Sequence, residues 1–474
     1  MPTRQSEPET LFGGDVRVEN GHVTVKRASA LASEQMDALV REAVFGLGQG
    51  RDHARWLIWE LGQAVGVRAA SINDLYLARG RGEVGGFTVP AINVRGMSYD
   101  TARSIFRTAL KLNAGAFILE IARSEIAYTD QRPAEYVAVM LAAALREGYQ
   151  GPVFIQGDHF QVNAKKYVAD ATGEVAAVKQ LANEAIHAGF YNIDVDTSTL
   201  VDINLESLDA QQTLNYETAV DIVSYIREVE PSGTTISIGG EIGEVGANNS
   251  TVPELRAFMD GFNRTLRERV GKSAVGLSKI SVQSGTSHGG VVLGDGSMAE
   301  VKLDLETLQE LSRVARDAYG LAGAVQHGAS TLPDTAFNNF PRTETCEIHL
   351  ATNFQNILYD NLPPALKVEV YDWLRTNAKD ERKDKDTDEQ FFYKTRKKAL
   401  GPFKERMWGI SEDARTRLAA AYDAKFEFLF RQLAVVGTAE AVARHVKPAA
   451  QHRRSPAEGT ETVAIAPDDP DAGE

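Results

Sequence analysis

Eight apolar runs typical of buried β-strands alternate with helical patterns through the middle of the chain. The runs lie at 86–94, 116–122, 152–157, 191–196, 234–241, 279–284, 321–326 and 346–350. Between them, apolar residues recur with the helical period, as over 101–113, 134–147, 174–188, 216–228, 252–270 and 305–319. Alternating strands and helices build parallel sheets, and eight repeats favour a closed barrel over a doubly wound sheet of about five or six strands. We therefore predict an α/β fold in which residues 81–362 form a (β/α)8 TIM barrel.

The segments that flank the predicted barrel have different patterns. Residues 1–80 contain helical patterns at 29–45 and 52–65 and are predicted to form a helical N-terminal extension. Residues 363–440 are predicted to form a helical C-terminal extension, with a charged run at 379–386 typical of a solvated linker and a helix-prone stretch from 388 to 433. Pro, Ala, Asp, Glu and Gly dominate the end of the chain, so residues 441–474 are predicted to be a disordered tail.

The composition narrows the class of protein. A net charge of -14 argues against a broad nucleic-acid surface, which requires a basic face. No apolar stretch reaches the roughly 18–20 residues that span a bilayer, and the N-terminus lacks an apolar signal-peptide core. We therefore expect a cytoplasmic protein with no membrane partner. The single cysteine, Cys346, excludes an internal disulfide and is expected to be a buried structural thiol.

Three of the nine histidines follow predicted strands directly. His159, His288 and His327 come after the third, sixth and seventh strand-like runs. The carboxyl ends of barrel strands surround a common centre, and a catalytic zinc site typically takes three protein ligands. These histidines are therefore predicted to bind one divalent metal ion.

A carboxylate, Asp158, directly precedes the first of these histidines. Neighbouring strand residues point to opposite faces, so we expect the strand to turn into a loop at Gly157 and release both side chains. A metal-binding imidazole beside a carboxylate supplies a Lewis-acid site and an acid/base for carbonyl chemistry. The alternative is an aspartate that caps the next helix and a histidine that bonds to it.

Further polar residues lie at the predicted strand ends. Glu241 is favoured over Glu244 as an additional ligand from the fifth strand. His349 is predicted to point from the eighth strand into the barrel or the substrate site. Asp194, Asp196 and Ser198 add polarity after the fourth strand, with their roles left open.

Small residues follow two of the histidines and could bind an anion. Glycine follows His288 and His327 at once, and a serine lies nearby at 330. Exposed backbone amides and hydroxyl groups form a cradle for phosphate, which in barrels frequently sits after the seventh and eighth strands. Taken alone, each glycine-rich segment is more often just a tight turn.

These motifs together resemble the class II, metal-dependent fructose-bisphosphate aldolases and their tagatose-bisphosphate relatives. The resemblance covers roughly residues 87–355. It rests on the segments 89–94, 158–159, 241–243, 285–289 and 327–330, which occur in the family's order.

The resemblance implies a reversible retro-aldol cleavage of a ketose phosphate to a three-carbon ketone phosphate and an aldehyde, as in glycolysis. It implies Zn2+ or another divalent transition metal on His159, His288 and His327, with Glu241 near the metal, and Asp158 as the acid/base. The implied substrate and phosphate contacts are Asn93, Gly289, Gly328, Ser330 and Thr352, and the position of His349 in the eighth strand makes it a further candidate contact. The partner would be a small sugar phosphate, and the assembly a homodimer or larger homo-oligomer.

The chain departs from the family pattern around the substrate. His349 stands where the family has an asparagine, Ala351 where an aspartate follows, and Ala122 where the second strand has a serine. These changes leave the identity of the aldehyde fragment open. Two other functions also stay open: a metal-dependent sugar epimerase or isomerase, and a non-catalytic companion subunit of an aldolase.

Overall fold

The computed structural model describes residues 11–243, 248–285, 303–456 and 463–469. The N-terminal part begins with an antiparallel hairpin of β1 (Val16–Glu19) and β2 (His22–Val25). The helices α1 (Glu34–Phe45), α2 (Gly48–Val65) and α3 (Asn73–Gly80) follow, with the short strand β3 (Arg68–Ala70) before α3. Buried side chains of this part, such as Trp59 and Tyr76, belong to one hydrophobic core with the barrel.

All eight predicted barrel strands are present within the described residues. They are β4 (Val89–Asn93), β5 (Ile118–Ala122), β6 (Pro152–Gln161), β7 (Asn192–Asp196), β8 (Ser237–Glu241), β9 (Lys279–Val282), β10 (Ala324–Gln326) and β11 (Glu347–Leu350). Their residues are almost all buried, as expected for strands covered on both faces.

The strands pair in parallel and close into a barrel. The order β6, β5, β4, β11, β10, β9, β8, β7 is completed by pairing of β6 with β7. β3 pairs with residues 152–154 at the start of β6, below the part that pairs with β7. The predicted (β/α)8 barrel is therefore confirmed, and the N-terminal extension adds a ninth strand to its sheet in the described part of the chain.

Helices connect the barrel strands on the outside. They are α4 (Ser98–Leu112), α5 (Arg123–Tyr128), α6 (Pro133–Glu147), α7 (Ala164–Ala169), α8 (Ala171–Ala188), α9 (Leu208–Val229), α10 (Val252–Arg269), α11 (Leu305–Tyr319) and α12 (Asn339–Arg342). Local signals set their ends: a Thr251–Glu254 capping box begins α10, and Gly320 ends α11 with a φ of 70°. None of the described helices combines the length and apolarity that a bilayer crossing requires.

The C-terminal extension is helical, but its helix-prone stretch is interrupted. The helix α13 (Thr352–Asn361) follows the last barrel strand, and the extension then contains α14 (Pro364–Asn377), α15 (Asp388–Thr395), α16 (Lys404–Trp408), α17 (Glu412–Gln432) and α18 (Ala439–His445). Gly401 and Pro402 separate α15 from α16, and Ser411 caps α17 through its side chain. The stretch 388–433, predicted from helical propensity as one helix-prone run, therefore forms three helices separated by turn residues. The boundaries of the four predicted regions stay a prediction.

The end of the chain differs from the disorder that its composition predicts. Residues 441–445 lie in α18, residues 451 and 453 bond to the N-terminal helix α2, and residue 466 bonds to the barrel helix α8. Trp56 Nε1 donates to Arg453 O over 3.0 Å, and the Arg453 guanidinium stacks 3.4 Å above the Trp59 ring. These contacts are polar or cationic and join distant parts of the chain, so a local count of apolar residues does not reveal them.

Candidate active site

Three imidazole rings lie together at the carboxyl ends of the barrel strands. The His327 ring centroid lies 4.3 Å from that of His159 and 4.0 Å from that of His349. All three residues are at least nine-tenths buried. His159 and His327 were predicted to share one metal ion with His288, which lies outside the described residues together with Gly289. His349, predicted to point into the barrel, lies beside them.

An irregularity in β6 aims two neighbouring side chains at this centre. The pairing with β7 shifts register between Gly157 and Phe160, and His159 has a φ of 40°. As a result Asp158 Oδ1 lies 3.9 Å from His159 Nε2 instead of on the opposite face. The strand continues to residue 161, so a bulge within the strand, and not the expected loop at Gly157, releases both side chains.

Two carboxylates lie near the Nδ1 atom of His159. Its Nδ1 lies 2.9 Å from Asp196 Oδ2 and 3.5 Å from Glu241 Oε2. Burial by itself lowers the pKa of His159, but the charges of Asp158, Asp196 and Glu241 outweigh it and raise that pKa well above its usual value. Burial raises the pKa of Glu241 well above its usual value, with the Asp196 charge adding to the shift.

Asp196 is fixed by several donors. Ser198 donates to Asp196 Oδ1 through its backbone N–H at 3.0 Å and its hydroxyl at 2.6 Å, and Gln161 Nε2 donates to Oδ2 at 2.6 Å. Although burial opposes it, the bonds to His159, Ser198 and Gln161 hold the pKa of Asp196 below its usual value. The carboxylate at Nδ1 fixes the orientation of the His159 ring, with Nε2 on the side of Asp158.

Replacing this carboxylate tests the arrangement. We expect Asp196→Asn to weaken zinc binding about 10- to 100-fold, because the imidazole loses the anion that fixes its orientation and basicity. Competition with a chromophoric chelator measures the affinity. Asp221→Asn, on the outer helix α9 where Asp221 pairs with Lys179, should bind zinc like the unmodified protein. Equal affinity of the Asp196 variant would contradict the assignment.

The residues that follow β10 and β11 and that were predicted to bind phosphate lie close together, and their role stays a prediction. Gly328 has a φ of 69°, and Ser330 Oγ accepts a 2.6 Å hydrogen bond from the Ala351 N–H. Thr352 is the first residue of α13 and is nine-tenths buried. His327 Nε2 lies 3.0 Å from Ser281 Oγ, on the neighbouring strand β9.

His349 points into the barrel and joins the centre to a deeper ionic network. Its Nδ1 lies 3.0 Å from Glu120 Oε2 and 3.1 Å from Asp158 Oδ1, and its Nε2 lies 2.8 Å from Glu347 Oε1. Below it, Lys279 Nζ lies 2.8 Å from Asp194 Oδ1 and also contacts Glu347.

Sequence reasoning missed three members of this network, Glu120, Lys279 and Glu347. All are fully buried. Their signal was a charged residue inside an apolar run, as in the Leu119–Ile121 and Lys279–Val282 segments, which marks an inward side chain with a partner. Burial raises the pKa of Glu120 to about 8, with the Asp158 charge contributing, although His349 opposes the shift.

The raised pKa of Glu120 predicts a pH dependence of stability. Between its usual value of 4.5 and about 8, folded Glu120 keeps a proton that the unfolded chain has lost. Stability should therefore fall as pH rises through this window, by up to about 1.4 kcal/mol per pH unit. In metal-free protein, we expect Glu120→Gln to gain stability relative to the unmodified chain as pH rises from 5 to about 8, measured by urea unfolding. Glu217→Gln, at a half-exposed position on α9 where Glu217 pairs with Arg269, should show no such trend.

Asn93 is oriented by two residues that sequence reasoning also missed. Its Nδ2 donates to Glu125 Oε2 at 2.6 Å, and its Oδ1 accepts from Arg95 Nε at 3.2 Å. Arg95 Nη2 in turn lies 2.6 Å from Glu125 Oε1. The amide is therefore held in one orientation at the end of β4.

The donor set fits a divalent metal ion. Ligand atoms of Asp158, His159 and His327 lie within 4.8 Å of one another, and so do those of His159, Asp196 and Glu241. Imidazole and carboxylate donors in a buried, partly hydrogen-bonded cluster suit zinc and similar ions. Cys346 lies in the core, and burial raises the pKa of its thiol to about 12.

Comparison with solved structures gives similarities at low sequence identity. A probable tagatose 6-phosphate kinase from Sinorhizobium meliloti is 14% identical, with 73% of this chain and 100% of that chain covered and a TM-score of 0.54. A fructose-bisphosphate aldolase from Campylobacter jejuni is 17% identical, with coverages of 78% and 97% and a TM-score of 0.46. A fructuronate-tagaturonate epimerase from Cohnella laeviribosi is 12% identical, with coverages of 92% and 90% and a TM-score of 0.49.

Comparison of sequences gives two results. No curated protein sequence matches this chain significantly. The family model of class-II fructose-bisphosphate aldolase matches residues 80–421, which include the whole barrel and most of the C-terminal extension. Because this match covers well over half of the chain, the chain belongs to the class-II fructose-bisphosphate aldolase family.

Proposed function

We propose that this protein is a zinc-dependent aldolase that reversibly cleaves a ketose phosphate to a three-carbon ketone phosphate and an aldehyde. The observation that carries the proposal is the convergence of Asp158, His159 and His327 ligand atoms within 4.8 Å at the carboxyl end of a family-matched barrel. Carbon-carbon cleavage next to a carbonyl needs an electrophile and a proton acceptor at one place, and this cluster provides donors for both.

The proposed metal ligands are His159, His288 and His327, with Glu241 as a further ligand or a nearby carboxylate. A bound divalent ion would polarise the substrate carbonyl and stabilise negative charge as the bond breaks. Asp196 orients the His159 ring through the 2.9 Å contact with Nδ1. The buried surroundings exclude water, which strengthens these electrostatic interactions.

Asp158 is the proposed acid/base. Its carboxylate would take the proton from the hydroxyl that becomes the aldehyde and return it in the reverse reaction. His349 Nδ1 lies 3.1 Å from Asp158 Oδ1 and 3.0 Å from Glu120 Oε2, so it can stabilise the charged carboxylate. Asn93, held by Glu125, would donate a hydrogen bond to a substrate oxygen.

The proposed phosphate contacts are Gly289, Gly328, Ser330 and Thr352. The support for the last three is their position after β10 and β11, with Ser330 bonded to the Ala351 amide at the start of α13. Amides and hydroxyl groups at the first turn of a helix bind an anion well. The acidic composition and the buried single cysteine fit a cytoplasmic protein, which we propose acts as a homodimer or larger homo-oligomer.

The function is tested by product analysis. Zinc-loaded protein is incubated with ketose mono- and bisphosphates, and the released three-carbon ketone phosphate is measured with a coupled dehydrogenase. We expect Asp158→Asn to lower kcat by about 100- to 10,000-fold while zinc content stays at the level of the unmodified chain, because only proton transfer is lost. Loss of zinc in this variant would instead make Asp158 a ligand.

A sugar epimerase is the second candidate, because two proton-transfer groups, Asp158 and His349, lie 3.1 Å apart at the same centre. Such a pair could remove and return a proton, or rejoin the two fragments with the opposite configuration, without releasing them. The same incubations separate the functions, since an aldolase releases two fragments and an epimerase returns one isomer. Zinc-loaded protein that does neither with any ketose would favour a non-catalytic companion subunit.

A further inference from the structure

The described end of the chain, residues 463–469, lies along α8 and outside the family-matched region. Gln180 Nε2 donates to Ile465 O at 2.7 Å, and the Ala466 N–H donates to Glu184 Oε2 at 2.8 Å. Asp468 Oδ1 lies 2.7 Å from Arg132 Nη1. We call residues 463–469 the C-terminal strap.

The C-terminal strap brings a buried carboxylate to the carboxyl end of the barrel. Asp469 Oδ2 lies 2.9 Å from Lys166 Nζ on α7 and 3.3 Å from Arg123 Nη2 at the start of α5. The side chains of Asp469 and Arg123 are 1% and 3% exposed. Burying a carboxylate costs free energy unless its charge is paired. The strap is therefore favoured in the position where Asp469 meets both cations.

Arg123 joins the strap to the chain that follows β6. Its Nη1 donates to Gln161 O and to Glu174 Oε1, both at 2.6 Å. Glu174 Oε1 also accepts the Asn163 N–H at 2.9 Å. The guanidinium therefore holds the backbone at both Gln161 and Asn163, directly or through one carboxylate.

The end of β6 and the residue after it are coupled to the candidate metal centre. Gln161 Nε2 donates at 2.6 Å to Asp196 Oδ2, the same oxygen that lies 2.9 Å from His159 Nδ1. The Val162 N–H donates to Asp196 O at 2.8 Å. A continuous series of contacts thus runs from Asp469 through Arg123, Gln161 and Asp196 to His159.

We propose that the C-terminal strap is a positioning element of the active site, with Asp469 as its positioning residue. Asp469 neutralises Arg123 and fixes its guanidinium against Gln161, which keeps Asp196 and His159 in place. Without the strap carboxylate, Arg123 would have Glu174 as its one charged partner among the described residues and would hold the segment after β6 less firmly. The inference rests on the proposed function only in treating His159 as a metal ligand.

Hydrogen exchange of the metal-free, full-length protein tests the positioning role. Asp469→Asn removes the charge and keeps the size, and we expect peptides covering 162–174 to exchange about tenfold faster, with α11 unchanged. Asp468→Asn is the matched control, because its carboxylate lies on the same strap but is 61% exposed and pairs with Arg132. Unchanged exchange over 162–174 in the Asp469 variant, or equal loosening in the control, would overturn the proposal.

Zinc affinity provides a second readout. We expect Asp469→Asn to weaken zinc binding about tenfold, as for other residues that orient a ligand, and Asp468→Asn to have no effect. If the unmodified chain binds no zinc, the proposed function fails while the exchange result still decides on the strap. If Asp469→Asn does not fold, Arg123→Lys is the second variant, because it keeps the charge but cannot reach Asp469, Gln161 and Glu174 at once. Faster exchange over 162–174 is expected, and unchanged exchange there would again overturn the proposal.

Discussion

His327→Ala should abolish metal binding and lower aldol cleavage by at least about 1,000-fold, because the buried centre loses a ligand and the electrophilic ion that depends on it. The His327 ring contacts the rings of both His159 and His349, so its removal also leaves a space where water can enter. Zinc content by elemental analysis and single-turnover cleavage measure the two effects. Zinc should also cease to stabilise the variant, whereas excess zinc at about 1,000 times its Kd should stabilise the unmodified chain by about 4 kcal/mol.

His187→Ala is the matched control for this substitution. His187 is exposed on α8, and its Nδ1 lies 2.8 Å from the Asn183 carbonyl oxygen. The control should keep full zinc content, zinc-dependent stabilisation and activity. If His327→Ala retained one zinc per chain with unchanged affinity, His327 would not be a ligand, and the proposed reaction would lose its support.

Lys279→Met should destabilise the folded protein by about 3–5 kcal/mol, because it leaves buried carboxylates without their cation. Lys279 is fully buried, and its Nζ lies 2.8 Å from both Gln156 Oε1 and Asp194 Oδ1 and contacts Glu347. Although burial opposes it, the Lys279 charge contributes most to holding the pKa of Glu347 below its usual range. Urea unfolding of metal-free protein measures the loss, and it is a large share of the stability of an ordinary domain.

Two further variants make the Lys279 result specific. Lys179→Met removes a partly exposed lysine whose Nζ lies 2.8 Å from Asp221 on the neighbouring helix, and it should cost less than about 1 kcal/mol. Lys279→Met combined with Glu347→Gln should recover part of the loss, because the second change removes one unpaired charge. Equal losses for the two lysine variants would show that the buried network adds nothing beyond a surface ion pair.

The candidate site was predictable to the extent that its residues follow strand ends. Asp158, His159, His327 and His349 stand at such ends, and the structure places them together. Glu125 and Arg95 were not predicted, because they lie in connecting segments whose direction is set by packing and not by a strand period. The role of Asp196 was left open for a related reason: its 2.9 Å contact with His159 depends on the register between β6 and β7.

The sequence alone determined the barrel, because eight apolar strands separated by amphipathic helices bury their apolar faces best in a closed parallel sheet. The tertiary structure decided three other features. The bulge at His159 turns two adjacent side chains toward one centre, and the ninth strand β3 comes from outside the barrel. The C-terminal strap is held by ion pairs of the buried Asp469 to residues about 300–350 positions earlier. Periodicity reports which faces are apolar within one element, whereas bulges, added strands and buried ion pairs depend on distant partners that exist only after the chain has folded.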